Sequence, residues 1–167
     1  MSRRRNPVEL TSFFKMRPHA GAIIQGGYKF PSIRGVVYFY ETSTGVIVRA
    51  EVSGLPCGVG CDSPIFGFHI HEGLSCYGGG ESPFSEAMGH FKSNMCPHPY
   101  HAGDMPPLLG VGGRAFSVFL TGRFTLEEII GRTVVIHGGR DDFTTDPSGD
   151  SGERIACGEI RELRGIR

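Results

Sequence analysis

Ile65-Phe66-Gly67-Phe68-His69-Ile70-His71 reads as one short strand, in which alternation sends His69 and His71 to one face and Phe68 and Ile70 to the other. The apolar face belongs to a core, so the histidine pair stands on the opposite side. Toward the N-terminus, Ala22-Ile23-Ile24, Gly35-Val36-Val37-Tyr38-Phe39-Tyr40 and Gly45-Val46-Ile47-Val48-Arg49-Ala50-Glu51-Val52 are further strands. The polar Glu41-Thr42-Ser43-Thr44-Gly45 connection has hairpin character, so the last two of these are predicted to pair antiparallel. Toward the C-terminus, strand pattern returns at Ala115–Leu120, Thr133–His137 and Arg154–Ile160. Between the first two, Thr125 with Glu128 three residues on predicts an N-capped helical turn that Gly131 would end.

Two stretches lack this pattern. Residues 72–113 are rich in Gly, Pro, Ser and His, and residues 137–153 carry Gly, Asp, Thr, Pro and Ser. A structureless loop of such length in a compact domain is usually functional, and bound metal would give it the order that packing does not. Seven to eight short strands with two long functional loops predict an all-β Greek-key β-sandwich or flattened barrel.

Composition agrees. A chain of 167 residues that is 39% hydrophobic can bury one ordinary core, and 26 glycines with 11 prolines suit strands joined by turns. The expected organisation is a disordered basic leader over residues 1–19, carrying Arg3, Arg4, Arg5, Lys15 and Arg17, followed by a single domain over residues 20–167. Met16 is an alternative start of the folded unit. The 17 basic residues balance 17 acidic ones, so nucleic acid is not an expected partner. No stretch is long and apolar enough to span a bilayer, so neither is a membrane. Pro7, Glu9 and Lys15 interrupt the one apolar run that could serve as an export signal, Leu10 to Phe14, and the expected compartment is the cytoplasm. The five cysteines, Cys57, Cys61, Cys76, Cys96 and Cys157, close at most two bridges and include no CxxC knuckle.

Metal-binding character lies instead in the histidines. Of His19, His69, His71, His90, His98, His101 and His137, all but His19 fall in or beside the two loops. His69 and His71 present two imidazoles to one point, and His98-x-x-His101-x-x-Asp104 offers three ligands in a short span stiffened by Pro97 and Pro99. His90 sits between these groups, and His137 ends a strand at a loop mouth. Two four-coordinate ions sharing one bridging ligand need seven donors, the number available; a single zinc with scattered histidines is the simpler alternative. Imidazole suits copper and zinc equally, so the donors do not name the metals.

Gly67-Phe68-His69-Ile70-His71-Glu72, Gly89-His90-Phe91, His101-Ala102-Gly103-Asp104, Ile130–His137 and Gly152-Glu153-Arg154-Ile155-Ala156-Cys157-Gly158, taken in order, resemble the copper,zinc superoxide dismutases over residues 20–160. The resemblance implies disproportionation of superoxide anion to dioxygen and hydrogen peroxide, with copper and zinc ions as cofactors. It implies copper at His69, His71, His90 and His137 and zinc at His90, His98, His101 and Asp104. His90 would bridge the two ions and return a proton to the product, and Arg154 would dock the anion. Asp141 would link His69 to His98, with adjacent Asp142 able to take that role instead, and Cys76 with Cys157 would form the intrachain disulfide. Cys57 and Cys61 are left for a second bridge, and Cys96 for a free thiol or an adventitious ligand.

The chain departs from the longer family members in a trimmed zinc loop. Its second loop sets Arg140 against Asp141, Asp142, Asp146, Asp150 and Glu153, so lysine steering is not evident. A homodimer is open as the oligomeric state. The competing functions are a non-enzymatic copper- and zinc-binding protein of chaperone type on the same fold, which predicts a missing ligand or arginine, and a zinc hydrolase, for which Glu72 would be the base.

Overall fold

The computed structural model describes residues 15–58, 64–79, 82–93 and 95–163. The chain builds β1 (Ala20–Gly26), β2 (Arg34–Thr42), β3 (Gly45–Ser53), β4 (Ile65–Phe66), β5 (Phe68–His71), β6 (Leu108–Leu109), β7 (Arg114–Thr121), α1 (Leu126–Ile129), β8 (Thr133–His137) and β9 (Arg154–Glu162). Seven strands form one antiparallel sheet in the order β5-β8-β9-β1-β2-β3-β7, while β4 and β6 pair separately. The last strand therefore lies beside the first, as a Greek key requires. Buried Phe68 and Ile70 from one end of the sheet share a single apolar cluster with Ala115 from the other end and with Ile24, Val37, Phe39 and Val48 from its middle. Sharing one core between both ends means that the sheet curls upon itself, the half-barrel form of the expected sandwich.

The β2–β3 pairing runs in register from Arg34–Ser53 to Thr42–Gly45, as the polar connection predicts. Gly45 closes this hairpin at φ 148°, and a Cβ there would lie 2.4 Å from the Thr121 carbonyl oxygen, so no larger residue fits. Before α1, Thr125 Oγ1 accepts from Glu128 N at 3.4 Å and Glu128 Oε2 accepts from Thr125 N at 2.7 Å, completing the predicted capping box.

The reading of residues 65–71 as one strand needs correction. The strand breaks at Gly67, so β4 joins β6 and β5 joins β8. Gly67 N donates to Gly139 O and its carbonyl accepts from His137 N, each at 2.8 Å, and a Cβ would meet Ser151 Oγ at 2.6 Å. The glycine is thus the point where the chain changes sheet against the second loop.

Nor is the first long loop without pattern. It lays two segments against β5: Phe91 N donates to Ile70 O at 2.8 Å, Ile70 N to Gly103 O at 2.9 Å, and Gly103 N to Phe91 O at 2.9 Å. These contacts set His90 opposite His71 and Asp104 opposite His69. The Cys76–Cys157 disulfide ties the same loop to β9. At the other end, His19 N donates to Phe39 O and Leu163 N to His19 O, so sheet hydrogen bonding starts one residue ahead of the expected boundary at 20. Residues 1–14 of the expected leader, and Cys61, the expected partner of Cys57, lie outside the described residues.

Candidate metal centre

Four elements deliver the histidines to one place. β5 contributes His69 and His71 on its non-core face; a register shift between Ile136 and His137 at the end of β8 turns His137 toward them. His90 and the His98–Asp104 turn arrive on the loop stitched beside β5. The nitrogen and oxygen donors of His69, His71, His90 and His137 lie within 4.8 Å of one another, as do those of His90, His98, His101 and Asp104, and all seven residues are buried. His90 belongs to both groups. His19 stands apart, its Nδ1 accepting from Glu41 N at 3.1 Å, and neither Glu72 nor Cys96 belongs to either group.

Hydrogen bonds decide which nitrogen of each ring is free. Carbonyl and carboxylate oxygens only accept, so a ring nitrogen bound to one carries the hydrogen and the other carries the lone pair. His71 Nδ1 donates to Met88 O at 2.9 Å and His137 Nδ1 to Gly152 O at 3.2 Å. Asp141 takes both remaining anchors: Oδ2 accepts from His69 Nε2 and Oδ1 from His98 Nε2, each at 2.8 Å. The lone pairs left over are His69 Nδ1, His71 Nε2, His137 Nε2 and His98 Nδ1. His71 Nε2 and His137 Nε2 face each other at 3.2 Å, and two facing lone pairs repel unless a cation lies beside both. Four further buried nitrogens, His69 Nδ1, His90 Nε2, His98 Nδ1 and His101 Nδ1, have no hydrogen-bond partner. Buried polar atoms are otherwise almost always paired, so this set fits metal ions. Six imidazoles and one carboxylate suit zinc or copper rather than calcium or magnesium.

Electrostatics keeps these donors in the ligating form. Burial pushes His69 down to about 4 from 6.5, although its hydrogen bond to Asp141 opposes the shift. It pushes His137 down to about 3 and His71 well below its ordinary value, with the neighbouring histidines adding to the effect. Burial also lowers His101. For the carboxyls, burial acts upward but loses: the bond from His69 and those from Phe143 N and His98 hold Asp141 at about 2, and the bond to His90 with the surrounding histidines holds Asp104 low. At neutral pH the rings of His69, His71, His101 and His137 are neutral and both carboxylates are charged, as metal binding requires.

Asp104 Oδ1 lies 2.7 Å from His90 Nδ1, and its Oδ2 lies 3.1 Å from His98 Nδ1 and 3.4 Å from His101 Nδ1. Asp142, weighed as the alternative to Asp141, instead caps the next turn, accepting from Thr144 N and Thr145 N at 2.8 Å. Arg154, at the start of β9, donates from Nη1 to Phe84 O at 2.5 Å and from Nη2 to Met88 O. Glu153 pairs with Lys29 at 3.1 Å, and among the described residues no carboxylate bonds Arg154.

Phe84 and Met88, whose carbonyls hold Arg154, escaped the sequence reading. Both have positive φ, at 59° and 62°, around the short 3-10 turn Ser85–Ala87, Phe84 in the left-handed helical region and Met88 with ψ −150°. A phenylalanine and a methionine carry no signal for that conformation. Asp146 was also missed as a support: its Oδ1 accepts from His98 N at 2.8 Å, joining the second loop to the first.

Residues 33–160 match the family model described as copper/zinc superoxide dismutase (SODC). The chain is similar to "Superoxide dismutase [Cu-Zn] 1" of Aquifex aeolicus, at 32% identity over 163 residues that cover 88% of this chain and 89% of that one. It is similar to "Superoxide dismutase [Cu-Zn]" of Deinococcus radiodurans, at 34% identity over 149 residues covering 78% and 79%. Among solved structures, the Cu/Zn superoxide dismutase from Brucella abortus superposes with a TM-score of 0.70 at 25% identity, covering 84% of this chain and 98% of that one.

Proposed function

Since this chain belongs to the copper/zinc superoxide dismutase family, we propose that His69, His71, His90 and His137 hold its copper and that His90, His98, His101 and Asp104 hold its zinc. The protein is a superoxide dismutase, an oxidoreductase with copper and zinc cofactors that converts superoxide to dioxygen and hydrogen peroxide. The division of the donors rests above all on the two four-donor groups meeting at His90, with unpaired lone pairs on both sides.

When bound, copper supplies one-electron chemistry, while zinc, which has none, adds rigidity and charge. Arg154 receives the anion. Its two carbonyl bonds aim the guanidinium, a fork of five N–H donors, and its remaining N–H groups and undiminished charge attract superoxide. His90 carries the proton: held at Nε2, it passes to the oxygen species being reduced, while Asp104 Oδ1, 2.7 Å from Nδ1, fixes the ring's orientation. The second proton comes from solvent. Asp141 orients the rings of His69 and His98 together.

The non-enzymatic reading requires an absent ligand or arginine, and all seven donors and Arg154 are in place. We read residues 20–167 as a single domain preceded by a basic leader, and the family match over 33–160 supports that reading. A homodimer is supported by exposed Leu109, Val111 and Phe116, apolar side chains 62 to 79% accessible around β6 and β7. Among the described residues no helix is long and apolar enough to cross a membrane. The cytoplasm was expected from sequence, whereas the Cys76–Cys157 bridge favours an oxidising compartment.

Metal analysis of the purified chain with a superoxide-consumption assay tests the proposal. One copper and one zinc per chain, with consumption that follows copper content, is expected. A chain that takes up zinc alone and consumes no superoxide overturns it.

A further inference from the structure

Arg123 lies in the connection between β7 and α1, outside both metal-donor groups. Its backbone is fixed on either side: Arg123 N donates to Thr121 Oγ1 at 3.2 Å, and the α1 capping box begins two residues later at Thr125. Its side chain reaches across to the metal loop. Nη1 donates to Pro99 O at 2.6 Å and lies 3.4 Å from both His101 O and Asp104 O. One nitrogen carries two hydrogens, so Pro99 takes a strong bond and the other two carbonyls share a weaker one.

Those three carbonyls belong to the turn that carries His101 and Asp104, whose side chains are buried and gathered with those of His90 and His98. Within the turn, Asp104 N donates to His101 O at 3.2 Å and His101 N to Asp104 Oδ2 at 3.0 Å. Carbonyl oxygens pointing to one place repel one another, and a guanidinium hydrogen set among them offsets that repulsion. No strand or helix spans this turn, so its shape before metal arrives rests on a few backbone bonds, through Gly103 to Ile70 and Phe91 and from Asp104 N to His101 O, together with side-chain bonds such as these.

We propose that Arg123 is a positioning residue for the zinc-binding turn: it clamps the carbonyls of Pro99, His101 and Asp104, so that the His101 and Asp104 donors are already aligned when zinc binds. The inference rests on the proposed zinc set. A turn ordered in advance loses less freedom on binding, and removal of outer supports of metal ligands commonly lowers affinity about 10- to 100-fold.

The test uses the full chain, wild type, Arg123→Ala and Arg123→Lys, with zinc affinity measured by chelator competition and the visible spectrum recorded with cobalt(II) in place of zinc. Arg123→Ala should weaken zinc about 10-fold and alter the intensity of the cobalt bands, which report ligand geometry, while copper affinity at saturating zinc stays unchanged. Arg123→Lys, whose ammonium can reach part of the carbonyl cluster, should recover most of the affinity. Should Arg123→Ala not fold, Arg123→Gln, which keeps the stem and removes the charge, carries the same comparison. Wild-type affinity and an unchanged cobalt spectrum in the neutral variant overturn the proposal. So does a loss that falls equally on copper and is not recovered by lysine, since that marks a general weakening of the fold. If the wild-type chain itself takes up no zinc, it is the assignment of the zinc set that has failed.

Discussion

His71 and Arg154 share one acceptor, the carbonyl oxygen of Met88, which lies 2.9 Å from His71 Nδ1 and also receives Arg154 Nη2. A metal-donor ring and the anion-docking guanidinium are thereby set by the same backbone atom. The positive φ of Met88 (62°, with ψ −150°) aims that atom at both, so the spacing between the His71 ring and the Arg154 guanidinium is built into the loop that the disulfide ties down.

Arg154→Glu should lower the second-order rate with superoxide at least about 10-fold and flatten or reverse its fall with salt. Attraction to an anion is screened within about 8 Å at physiological ionic strength, and a carboxylate reverses its sign. Stopped-flow decay of superoxide across a salt series reads this directly. An unchanged rate and salt slope at equal copper content would make Arg154 structural.

Asp141→Ala removes the acceptor that fixes two rings at once. His69 and His98 then lose their preferred tautomer, and zinc affinity should fall about 10- to 100-fold, with a smaller loss for copper. Chelator competition measures both. Asp142→Ala should leave both affinities near wild type, because the Asp142 carboxylate bonds to Thr144 and Thr145 in its own turn and not to a donor ring.

The metal-free protein should lose stability in mild acid. His69 falls from 6.5 to about 4 on folding and His137 to about 3, so below about 6.5 the unfolded chain binds more protons than the folded one. Stability is then highest near neutrality and declines as pH drops through 6.5 toward 4. Asp141, held at about 2, adds a contribution that is lost only in stronger acid. Urea midpoints at pH 7.5, 6 and 5 should decrease in that order, and a pH-independent midpoint would contradict the neutral-histidine site.

Cys157→Ser should destabilise the protein by about 4.5 kcal/mol, the loop-closure contribution for a bridge spanning 81 residues. It should also lower superoxide turnover, because Phe84 and Met88 hold Arg154 from the freed loop. Urea unfolding with a parallel activity measurement tests both, and loss of stability without any loss of turnover would separate the bridge from the site.

How much of this was legible in the sequence depended on periodicity. Alternation in β5 was enough to place His69 and His71 together, and a polar linker was enough to pair β2 with β3. His90 and Asp104 could be named as donors but not placed, because their positions opposite His71 and His69 arise from backbone bonds that no residue pattern encodes. Gly67 read as an ordinary strand position, since nothing local marks its contact with Ser151, far along the chain. The anchors of Arg154 are carbonyl oxygens of residues at left-handed φ, and a carbonyl has no letter in the sequence.

The central claim is that His90 serves both metals and carries the proton, and His90→Ala tests it most directly through metal content and superoxide turnover in the same preparation. With six donors left, the variant should still fold and retain both ions when they are supplied in excess, yet turnover per copper should fall at least about 100-fold, the usual contribution of a positioned proton donor. Full turnover per copper in a variant carrying both metals would contradict the account.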